Sequence, residues 1–353
     1  MHNKSHTTRP FYAGNALSRK WLSLTLAGAV LLAGTGLPTQ AQAEGQLRIA
    51  QQFGIVYLLL NVAQDQRLIE KHGKAEGLDI QVNYLQLSGG AAVNDALLSG
   101  SVDIAGAGTG PLFTLWDRTK GRQNVRAVVA TGHFPYYLIS NNPKVKTIAD
   151  LTDKDRIAVP AVGVSVQSRF LQQASAELWG DKAYNRLDKL QVAIPHPEAT
   201  AAIISGGTEI TTHFSNAPFQ EQALAGNPNA HIILSSYQVT GGPNSPVVLY
   251  TTEKFRQNNP RTYQAFVNAI AEAADFASAH PEEAADAFIR VTQSRIDRTL
   301  LLSILKNPEV SFSVTPRNTL QLGQFLHRVG AIKHKPESIK DYFFDDKHIE
   351  GGS

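Results

Sequence analysis

Cysteine is absent from all 353 residues of the sequence. The chain can therefore form no disulfide, and no lipid can be attached to a cysteine after a secretion signal. A large excess of positive charge is also lacking. The formal net charge is +3, and Lys4, Arg9, Arg19 and Lys20 all lie in the first 43 residues, which contain no acid. The remaining 29 basic and 30 acidic side chains nearly balance, so nucleic acid binding is not expected.

Beyond the N-terminus, the sequence lacks an apolar run long enough to cross a bilayer. At the N-terminus, Arg19 and Lys20 precede an apolar stretch at residues 21–37, and Ala41-Gln42-Ala43 is a small-residue cleavage pattern. This order predicts a secretory signal peptide over residues 1–43, cleaved after Ala43. A membrane anchor is the alternative, but the apolar core is short and contains glycines. We expect a freely soluble protein of the periplasm.

Glycines are concentrated in one stretch, SGGAAVNDALLSGSVDIAGAGTGP at residues 88–111. Gly89-Gly90 and the run at residues 106–110 each precede a predicted helix, and Pro111 suits the first turn of the second helix. We expect two glycine-rich loops here. Such loops let a ligand approach the backbone closely, and the free N–H groups of a helix start attract anions.

Part of this stretch is repeated. LLSGSVDI at residues 97–104 resembles IISGGTEI at residues 203–210, which lies 106 residues later, and each copy is followed by a proline. A helix, a glycine, a strand and a proline used twice predict two similar α/β lobes. Chance is the alternative, because Ser-Gly after an apolar helix is common.

Apolar periodicity places strands and helices in the order β-α-β-α-β-α-β up to residue 130. This alternation predicts a mainly parallel, doubly wound sheet. Residues 52–57 are expected to form a loop that leads into the first helix, and this helix is expected to run to about Lys71 and to end at Gly73. Residues 78–82 alternate as a strand does. Residues 247–250 could rejoin the first sheet, and the run Tyr342-Phe343-Phe344 is expected to be exposed.

The second lobe is expected to begin near residue 148. A helix is predicted over residues 166–179, with Ser165 as its N-cap and Gly180 at its end. A strand is predicted over residues 209–212. The following segment, His213-Phe214-Ser215-Asn216-Ala217-Pro218-Phe219, is expected to be a loop in the place that residues 106–112 hold in the first lobe.

Several short motifs occur in an order that is familiar from one family. They are Gly89-Gly90-Ala91, Asp95-Ala96-Leu97, Ser99-Gly100, Val102-Asp103-Ile104, the segment from Gly108 to Pro111, Ile148-Ala149-Asp150-Leu151, Arg156-Ile157-Ala158-Val159-Pro160, Asn259-Pro260 and Pro281-Glu282-Glu283-Ala284-Ala285. On these motifs, roughly residues 46–290 resemble the nitrate/sulfonate/taurine-type periplasmic substrate-binding proteins of ABC importers. Thiamine-precursor-binding proteins are relatives of that family. One departure is the segment at 213–219, where the family often carries a tryptophan-containing loop.

The resemblance implies an α/β protein with the type II periplasmic binding protein fold, in which two doubly wound lobes are joined by two crossing segments. We expect a signal peptide at 1–43, the first part of lobe 1 at 44–138, lobe 2 at 139–240, and the return to lobe 1 with C-terminal helices at 241–353. The resemblance also implies that a monomer binds one small molecule between the lobes. It would deliver this molecule to an ABC permease of the inner membrane that a cytoplasmic ATPase drives.

Loops from both lobes should meet in the cleft, because open α/β sheets bind ligands at the carboxyl ends of their strands. Glycines and hydroxyl groups would bind an oxyanion there, and aromatic rings would hold an apolar body. We therefore expect a small organic anion with an apolar part, such as an aromatic carboxylate. The resemblance also implies a sulfonate, taurine or a nitrate-like ion as the ligand. Ordinary turns, helix caps and core packing are the alternative roles. The candidate ligand-binding residues are Gly54, Tyr57, Gly89, Gly90, Gly108, Thr109, His133, Phe134, Tyr136, Ser165, Gln167, His213 and Phe214.

Two further site hypotheses concern charged or ligating side chains. His133, His196 and His213 lie on three candidate cleft segments and could together bind zinc, but they lack a local ligand-spacing motif. Arg169 could face a ligand carboxylate or could lie on the surface. We expect no metal and no cofactor.

The function expected is that of a non-catalytic binding protein that closes on its ligand by a hinge. One alternative is an enzyme of the thiamine-pyrimidine synthase type on the same fold, although those enzymes use a cysteine-rich motif that is absent from this sequence. Another alternative is a periplasmic sensor subunit that presents its ligand to a receptor. No catalytic residues are expected, because the sequence shows no nucleophile, nucleotide or metal motif.

Overall fold

Two five-stranded sheets organise the computed structural model, which describes residues 44–353. The expected signal peptide lies outside the described residues. The strands are β1 Gln46–Gln51, β2 Gln81–Gln86, β3 Ile104–Gly108, β4 Arg126–Ala130, β5 Tyr137–Ser140, β6 Arg156–Val159, β7 Gln191–Ala193, β8 Ile210–Phe214, β9 His231–Ser235 and β10 Val247–Thr251.

The first sheet has the order β2-β1-β3-β10-β4. β1 pairs in parallel with β2 and β3, whereas β10 is antiparallel to both of its neighbours. Leu47 and Ile49 of β1 are fully buried, and every residue of β3 and β10 is buried. Gly106 of β3 leaves space for the ring of Tyr57, since a Cβ at this glycine would lie 3.2 Å from Tyr57 Cε1.

The second sheet has the order β7-β6-β8-β5-β9. β6 pairs in parallel with β7 and β8, and β5 lies antiparallel between β8 and β9. In each sheet, therefore, the one antiparallel inner strand is the strand that follows a crossing from the other sheet. This arrangement confirms the two doubly wound α/β lobes expected from the sequence.

The chain crosses between the lobes at residues 131–136 and at residues 236–246. The boundary between the lobes that was expected at residue 138 lies within β5. A C-terminal segment supports both crossings. Backbone hydrogen bonds join His133 to Ser311, the Tyr237 hydroxyl donates to the Glu309 carbonyl at 2.8 Å, and Asn318 Nδ2 donates to the Thr240 carbonyl at 2.8 Å.

Thirteen α-helices of the described residues surround and extend the two sheets. They are α1 Leu58–Asp65, α2 Leu68–Ala75, α3 Gly90–Leu98, α4 Thr109–Thr119, α5 Val166–Trp179, α6 His196–Ser205, α7 Phe219–Gly226, α8 Ser236–Thr240, α9 Glu253–Asn258, α10 Pro260–Ala279, α11 Pro281–Thr292, α12 Arg298–Leu305 and α13 Leu320–Arg328. No helix among residues 44–353 is long and apolar enough to cross a membrane.

The predicted second-lobe helix is confirmed as α5 with the expected bounds. The Ser165 hydroxyl accepts a hydrogen bond from the Ser168 N–H, and Gly180 ends the helix with a φ of 86°. A serine that caps free N–H groups and a glycine in the left-handed region are strong boundary signals, which is why both ends were predictable.

The predicted extent of the first helix was wrong. Arg67 adopts a φ of 53°, which separates α1 from α2, and α2 continues through Gly73 to Ala75. Gly73 serves close packing rather than termination, since a Cβ there would lie 2.6 Å from Ile80 Cγ1. The alternating residues 78–82 also mostly precede their strand, because β2 begins at Gln81.

Three other expectations need correction. Residues 106–108 belong to β3, and α4 begins at Thr109, so no glycine-rich loop separates them. His213 and Phe214 belong to β8, because they pair with Ile139 and Leu138 of β5. The run Tyr342-Phe343-Phe344 is buried rather than exposed, since Phe343 forms a bridge with Ala127 of β4.

Candidate functional site

A small cavity of about 20 Å³ lies between the two lobes, at the carboxyl ends of their strands. This volume has room for about one water molecule, so the lobes are closed on each other. The first lobe and the crossing contribute Gln52, Phe53, Tyr57, Gly90, Gly108, Pro111, Tyr136 and Val247 to the lining, and the second lobe contributes Ser165, Val166, Gln167, His196 and Asn216.

Helix starts dominate the polar part of this lining. Gly90 is the first residue of α3, Gly108 precedes α4, Ser165 caps α5, and His196 is the first residue of α6. The positive ends of four helix dipoles therefore lie around one cavity. Among residues 44–353, no Asp, Glu, Lys or Arg lines it.

Two tyrosines complete the polar lining from the side of the first lobe and the crossing. Burial raises the pKa of the Tyr57 and Tyr136 hydroxyls, so both are neutral at physiological pH. Gln52 Nε2 donates to the Tyr57 hydroxyl at 3.1 Å. This contact leaves the Tyr57 O–H itself available as a donor.

Six of the candidate residues named from the sequence line this cavity: Tyr57, Gly90, Gly108, Tyr136, Ser165 and Gln167. The other seven lie elsewhere, and their positions differ in kind. Two are glycines at contacts between the lobes, three belong to the crossing and its surroundings or to a helix start, and two lie in β8.

Gly54 and Gly89 bring the backbones of the two lobes together. A Cβ at Gly54 would lie 2.6 Å from Asn216 Oδ1, and a Cβ at Gly89 would lie 2.4 Å from the Pro160 carbonyl oxygen. Beside them, the Ile55 N–H donates to the Ala217 carbonyl at 2.8 Å. With the lobes closed as they are in this structure, neither glycine has room for a Cβ.

Thr109, His133 and Phe134 have backbone or packing roles. The Thr109 N–H donates to the Pro246 carbonyl at 2.9 Å. The His133 backbone pairs with Ser311, and burial lowers the pKa of its ring. Phe134 packs edge-to-face on Phe312, with 5.5 Å between ring centroids. The C-terminal segment thus covers the two residues of the crossing.

The two candidates in β8 lie behind the cavity wall. Phe214 is fully buried and packs against Phe170 of α5 at a centroid distance of 6.5 Å. His213 is also fully buried, and its Nε2 lies 2.8 Å from Nδ1 of His196. His213 therefore contacts a cavity residue without reaching the cavity.

His196 connects this strand to the cavity. Its Nε2 lies 3.1 Å from Gln167 Nε2, and its ring stacks on Phe219 at a centroid distance of 5.7 Å. Burial lowers the pKa of His196 to about 3, and burial together with His196 lowers the pKa of His213. Both imidazoles are therefore neutral.

The zinc hypothesis needed three histidines in one place. The structure brings His196 and His213 together, but His133 lies against Ser311. Among residues 44–353, no group of three or more His, Cys, Asp or Glu side chains is arranged to hold a metal ion.

Arg169 is neither on the surface nor in the cavity. Its side chain is buried, and Nη1 donates to Gln172 Oε1 at 2.9 Å. Burial lowers the pKa of this guanidinium, and the charge of Asp188 opposes that effect. Arg169 also lies against the first lobe, since a Cβ at Gly110 would lie 2.9 Å from Arg169 Cγ.

Sequence reasoning missed Gln52, Phe53 and Asn216, and it named His196 only as a zinc candidate. Asn216 donates from Nδ2 to the Phe53 carbonyl at 3.4 Å and so joins the lobes at the cavity. Asn216 could have been found from the repeat in the sequence. It follows the second copy of the repeated strand, and Gly108, which was named, ends the first copy.

Comparisons with solved structures show the same fold. A protein of Bordetella bronchiseptica RB50 is 20% identical, with a TM-score of 0.70, over 87% of this chain and 96% of its own. The alkanesulfonate-binding protein SsuA of Xanthomonas axonopodis pv. citri, bound to MOPS, is 17% identical, with a TM-score of 0.65, over 85% of this chain and 98% of its own. The periplasmic nitrate-binding protein NrtA of Synechocystis PCC 6803 is 14% identical, with a TM-score of 0.62, over 85% of this chain and 84% of its own.

The two sheets, the double crossing and the enclosed cavity define a periplasmic binding protein fold, as the resemblance implied. The family model described as NMT1/THI5 like matches residues 74–284, which is more than half of the sequence. The chain therefore belongs to the NMT1/THI5-like family. A search of the curated proteins gives no significant match.

Proposed function

We propose that the protein is the solute-binding component of an ABC importer and that it acts in the periplasm. It binds a small organic anion in the cavity between its lobes and delivers this anion to a permease driven by a cytoplasmic ATPase. Its role is binding rather than catalysis. The periplasmic binding protein fold supports this role, and the secretion signal expected from the sequence supports the location.

The observation that carries the choice of an anion is the character of the cavity wall. Four helix N-termini surround the cavity, and the part of the chain that the structure describes places no carboxylate in its lining. Free N–H groups at helix starts favour negative charge. A cation would meet neither a carboxylate nor a helix carboxyl end there.

Apolar side chains support an organic ligand. Phe53, Pro111, Val166 and Val247 line the cavity beside the polar groups. Binding pockets for organic molecules combine an apolar lining with a few convergent polar groups. We therefore propose that the acidic head of the ligand faces the helix starts and that its carbon body contacts these residues.

Ligand entry requires the lobes to separate, because the closed cavity holds only about 20 Å³. The two crossings at residues 131–136 and 236–246 are the only covalent links between the described sheets. Hinge rotation about them would open the cavity, as in other two-lobed binding proteins.

Two of the similar solved structures are proteins named for anionic ligands. One binds alkanesulfonates and the other binds nitrate. At 17% and 14% identity these likenesses concern the fold, so the choice among sulfonates, taurine and aromatic carboxylates, and their distinction from nitrate, needs a direct assay.

Isothermal titration calorimetry with taurine, butanesulfonate, benzoate, nitrate and a matched amine tests the proposal. We expect at least one organic anion to bind with a 1:1 stoichiometry and to raise the melting temperature. Tight binding of only a bare inorganic ion, or of only the amine, would contradict it. Stimulation of the cognate permease–ATPase in proteoliposomes by the loaded protein would separate an importer component from a sensor subunit.

A further inference from the structure

A chain of three buried side chains runs from the cavity into the second sheet. Gln167 and His196 line the cavity and are each 4% exposed, whereas His213 is 0% exposed. The Gln167 amide lies 3.1 Å from His196 Nε2, and His196 Nδ1 lies 2.8 Å from His213 Nε2. Each link is a hydrogen-bond distance, so the proton positions along the chain depend on one another.

The inner end of this chain has a defined property. His213 Nδ1 is buried, and residues 44–353 provide no hydrogen-bond partner for it. The ring belongs to β8, which is flanked by Ile139 of β5 and Ala158 of β6. Nδ1 therefore carries either an N–H without an acceptor or a lone pair without a donor.

Two arrangements satisfy both hydrogen bonds with neutral rings. In the first, the Gln167 amide nitrogen donates to His196 Nε2, and His196 Nδ1–H donates to His213 Nε2. The proton of His213 is then at Nδ1, where no acceptor exists. The Gln167 amide oxygen, which is not against His196, is on the cavity side.

In the second arrangement the Gln167 amide is turned by about 180°, which exchanges its two similar atoms. His213 Nε2–H then donates to His196 Nδ1, and His196 Nε2–H donates to the Gln167 oxygen. His213 Nδ1 keeps a lone pair, and the Gln167 NH₂ group is on the cavity side. Buried N–H groups without an acceptor are rarer in proteins than acceptors without a donor, which favours this arrangement.

We propose that the His213–His196 pair holds Gln167 with its NH₂ group toward the cavity, so that this side chain donates a hydrogen bond to the ligand. His213 is thus a positioning residue for ligand selection, although it does not contact the ligand. This inference rests on the proposed anion-binding function. It adds to that function the Gln167 NH₂ group, which favours a ligand with an oxygen that can accept a hydrogen bond.

Neutral rings are essential to this arrangement, and the surroundings keep them neutral. Any protonated state with both hydrogen bonds intact would place an N–H at His213 Nδ1. The charged groups on the packing helices make their contacts elsewhere: Arg169 of α5 bonds Gln172, Glu221 of α7 bonds Gln220, and Glu198 of α6 is exposed. Burial is the main cause that lowers the pKa of both rings. The proposal therefore also predicts the same anion affinity at pH 6 and pH 8.

Nitrogen-15 NMR of the histidine-labelled, ligand-free protein tests the proton positions directly. The expected result is the Nε2–H tautomer for both His196 and His213. The opposite arrangement has Nδ1–H at both rings, and that result would overturn the proposal whatever the protein binds. The signals are assigned by comparison with His213→Gln and His196→Gln.

Binding of butanesulfonate and benzoate to variants tests the consequence. His213→Gln can still donate from its side-chain nitrogen to His196 and should bind within about twofold of the wild type. His213→Met cannot donate and should bind about tenfold more weakly. Gln167→Glu replaces the donor with a carboxylate and should lose at least about a hundredfold.

The outcomes separate the two proposals. If neither probe nor any other organic anion binds the wild type, the proposed function fails, while the NMR result still decides the tautomers. If anions bind but Gln167→Glu binds them equally well, the anion function stands and the role of Gln167 is refuted. Equal affinity of His213→Met and the wild type would likewise remove His213 from ligand selection.

Discussion

The two copies of the repeated unit meet at one cavity but bring different groups to it. In the first copy, β3 runs directly into α4 at Gly108, and the groups nearest the second lobe are glycines. In the second copy, β8 is followed by residues 215–218 before α7. Asn216 and His196 line the cavity there, and the His196 ring contacts His213. The first copy thus allows close backbone approach, whereas the second copy supplies side-chain hydrogen bonds.

The acidic residue shared by the two copies also differs in its role. Asp103 accepts hydrogen bonds from Arg48 Nε at 2.9 Å, Arg48 Nη2 at 2.7 Å and the Arg48 N–H at 2.9 Å. The equivalent Glu209 is exposed. A repeated sequence therefore preserves the helix–strand geometry of the lobes without preserving the contacts of each residue.

Blocking the glycine approach of the first lobe should have the largest effect. The φ of Gly89 is −167°, which alanine also adopts, but the added Cβ would lie 2.4 Å from the Pro160 carbonyl oxygen. Gly89→Ala should therefore destabilise the closed state and weaken anion binding by about a hundredfold, since apparent affinity falls with the population of the competent state.

Calorimetry measures this loss, and small-angle scattering should show that the variant stays open at saturating ligand. Ala91→Ser, at an exposed site two residues away, serves as the control and should behave as the wild type. Closure and wild-type affinity in Gly89→Ala would show that the backbone approach is not needed.

The neighbouring glycine should affect stability instead of closure. A Cβ at Gly90 would lie 2.3 Å from Pro111 Cγ, which belongs to the same lobe. Overpacking of this kind costs about 1–3 kcal/mol. Thermal unfolding of ligand-free Gly90→Ala should show this loss, whereas ligand-free Gly89→Ala should unfold close to the wild-type temperature. Equal stabilities of the two variants would contradict the distinction.

Acid should destabilise the second lobe through its buried histidines. The pKa of His196 is lowered to about 3 in the folded protein, so below pH 6.5 the unfolded chain binds a proton that the folded ring does not. Stability should therefore fall as the pH drops from 6.5 toward 3, by about 2 kcal/mol at pH 5 for this one group.

His213 contributes in the same direction, because its pKa is also lowered by burial. Urea unfolding at pH 7 and pH 5 should show a smaller acid loss for His213→Gln than for the wild type. An unchanged difference between the two pH values would mean that His213 is not buried in its neutral form.

The smallest expected effect concerns the shared acidic position. Asp103→Asn keeps the size of the side chain but weakens the contacts to the partly exposed Arg48, so we expect a loss of about 1 kcal/mol. Glu209→Gln at the equivalent exposed site should change the free energy of unfolding by less than about 0.5 kcal/mol. Urea titrations measure both, and similar losses would argue that the two positions are equivalent after all.

Local signals made much of the fold predictable from the sequence. Ser165 and Gly180 marked both ends of α5, and the repeat at residues 97–104 and 203–210 indicated two lobes. Long-range pairing was not predictable. β8 continues through His213 and Phe214 because β5, more than 70 residues earlier, pairs with them. The packing of Gly73 on Ile80 likewise cannot be read from a glycine near a helix end.

The candidate site was predictable where the backbone determines it. Glycine and hydroxyl residues at helix starts, such as Gly90, Gly108 and Ser165, do line the cavity. His133 and Phe134 do not, because residues 311–312 of a distant segment cover them. The sequence could not show this cover, and it could not show that Gly54 and Gly89 lie against residues of the other lobe.

A crystal structure of the protein with its tightest-binding organic anion would test the central claim most directly. We expect one anion between the lobes, with its acidic oxygens at the N-termini of α3 and α5 and one oxygen within hydrogen-bond distance of the Gln167 side chain. An anion bound outside this cavity, or one whose acidic group points away from both helix starts, would contradict the account.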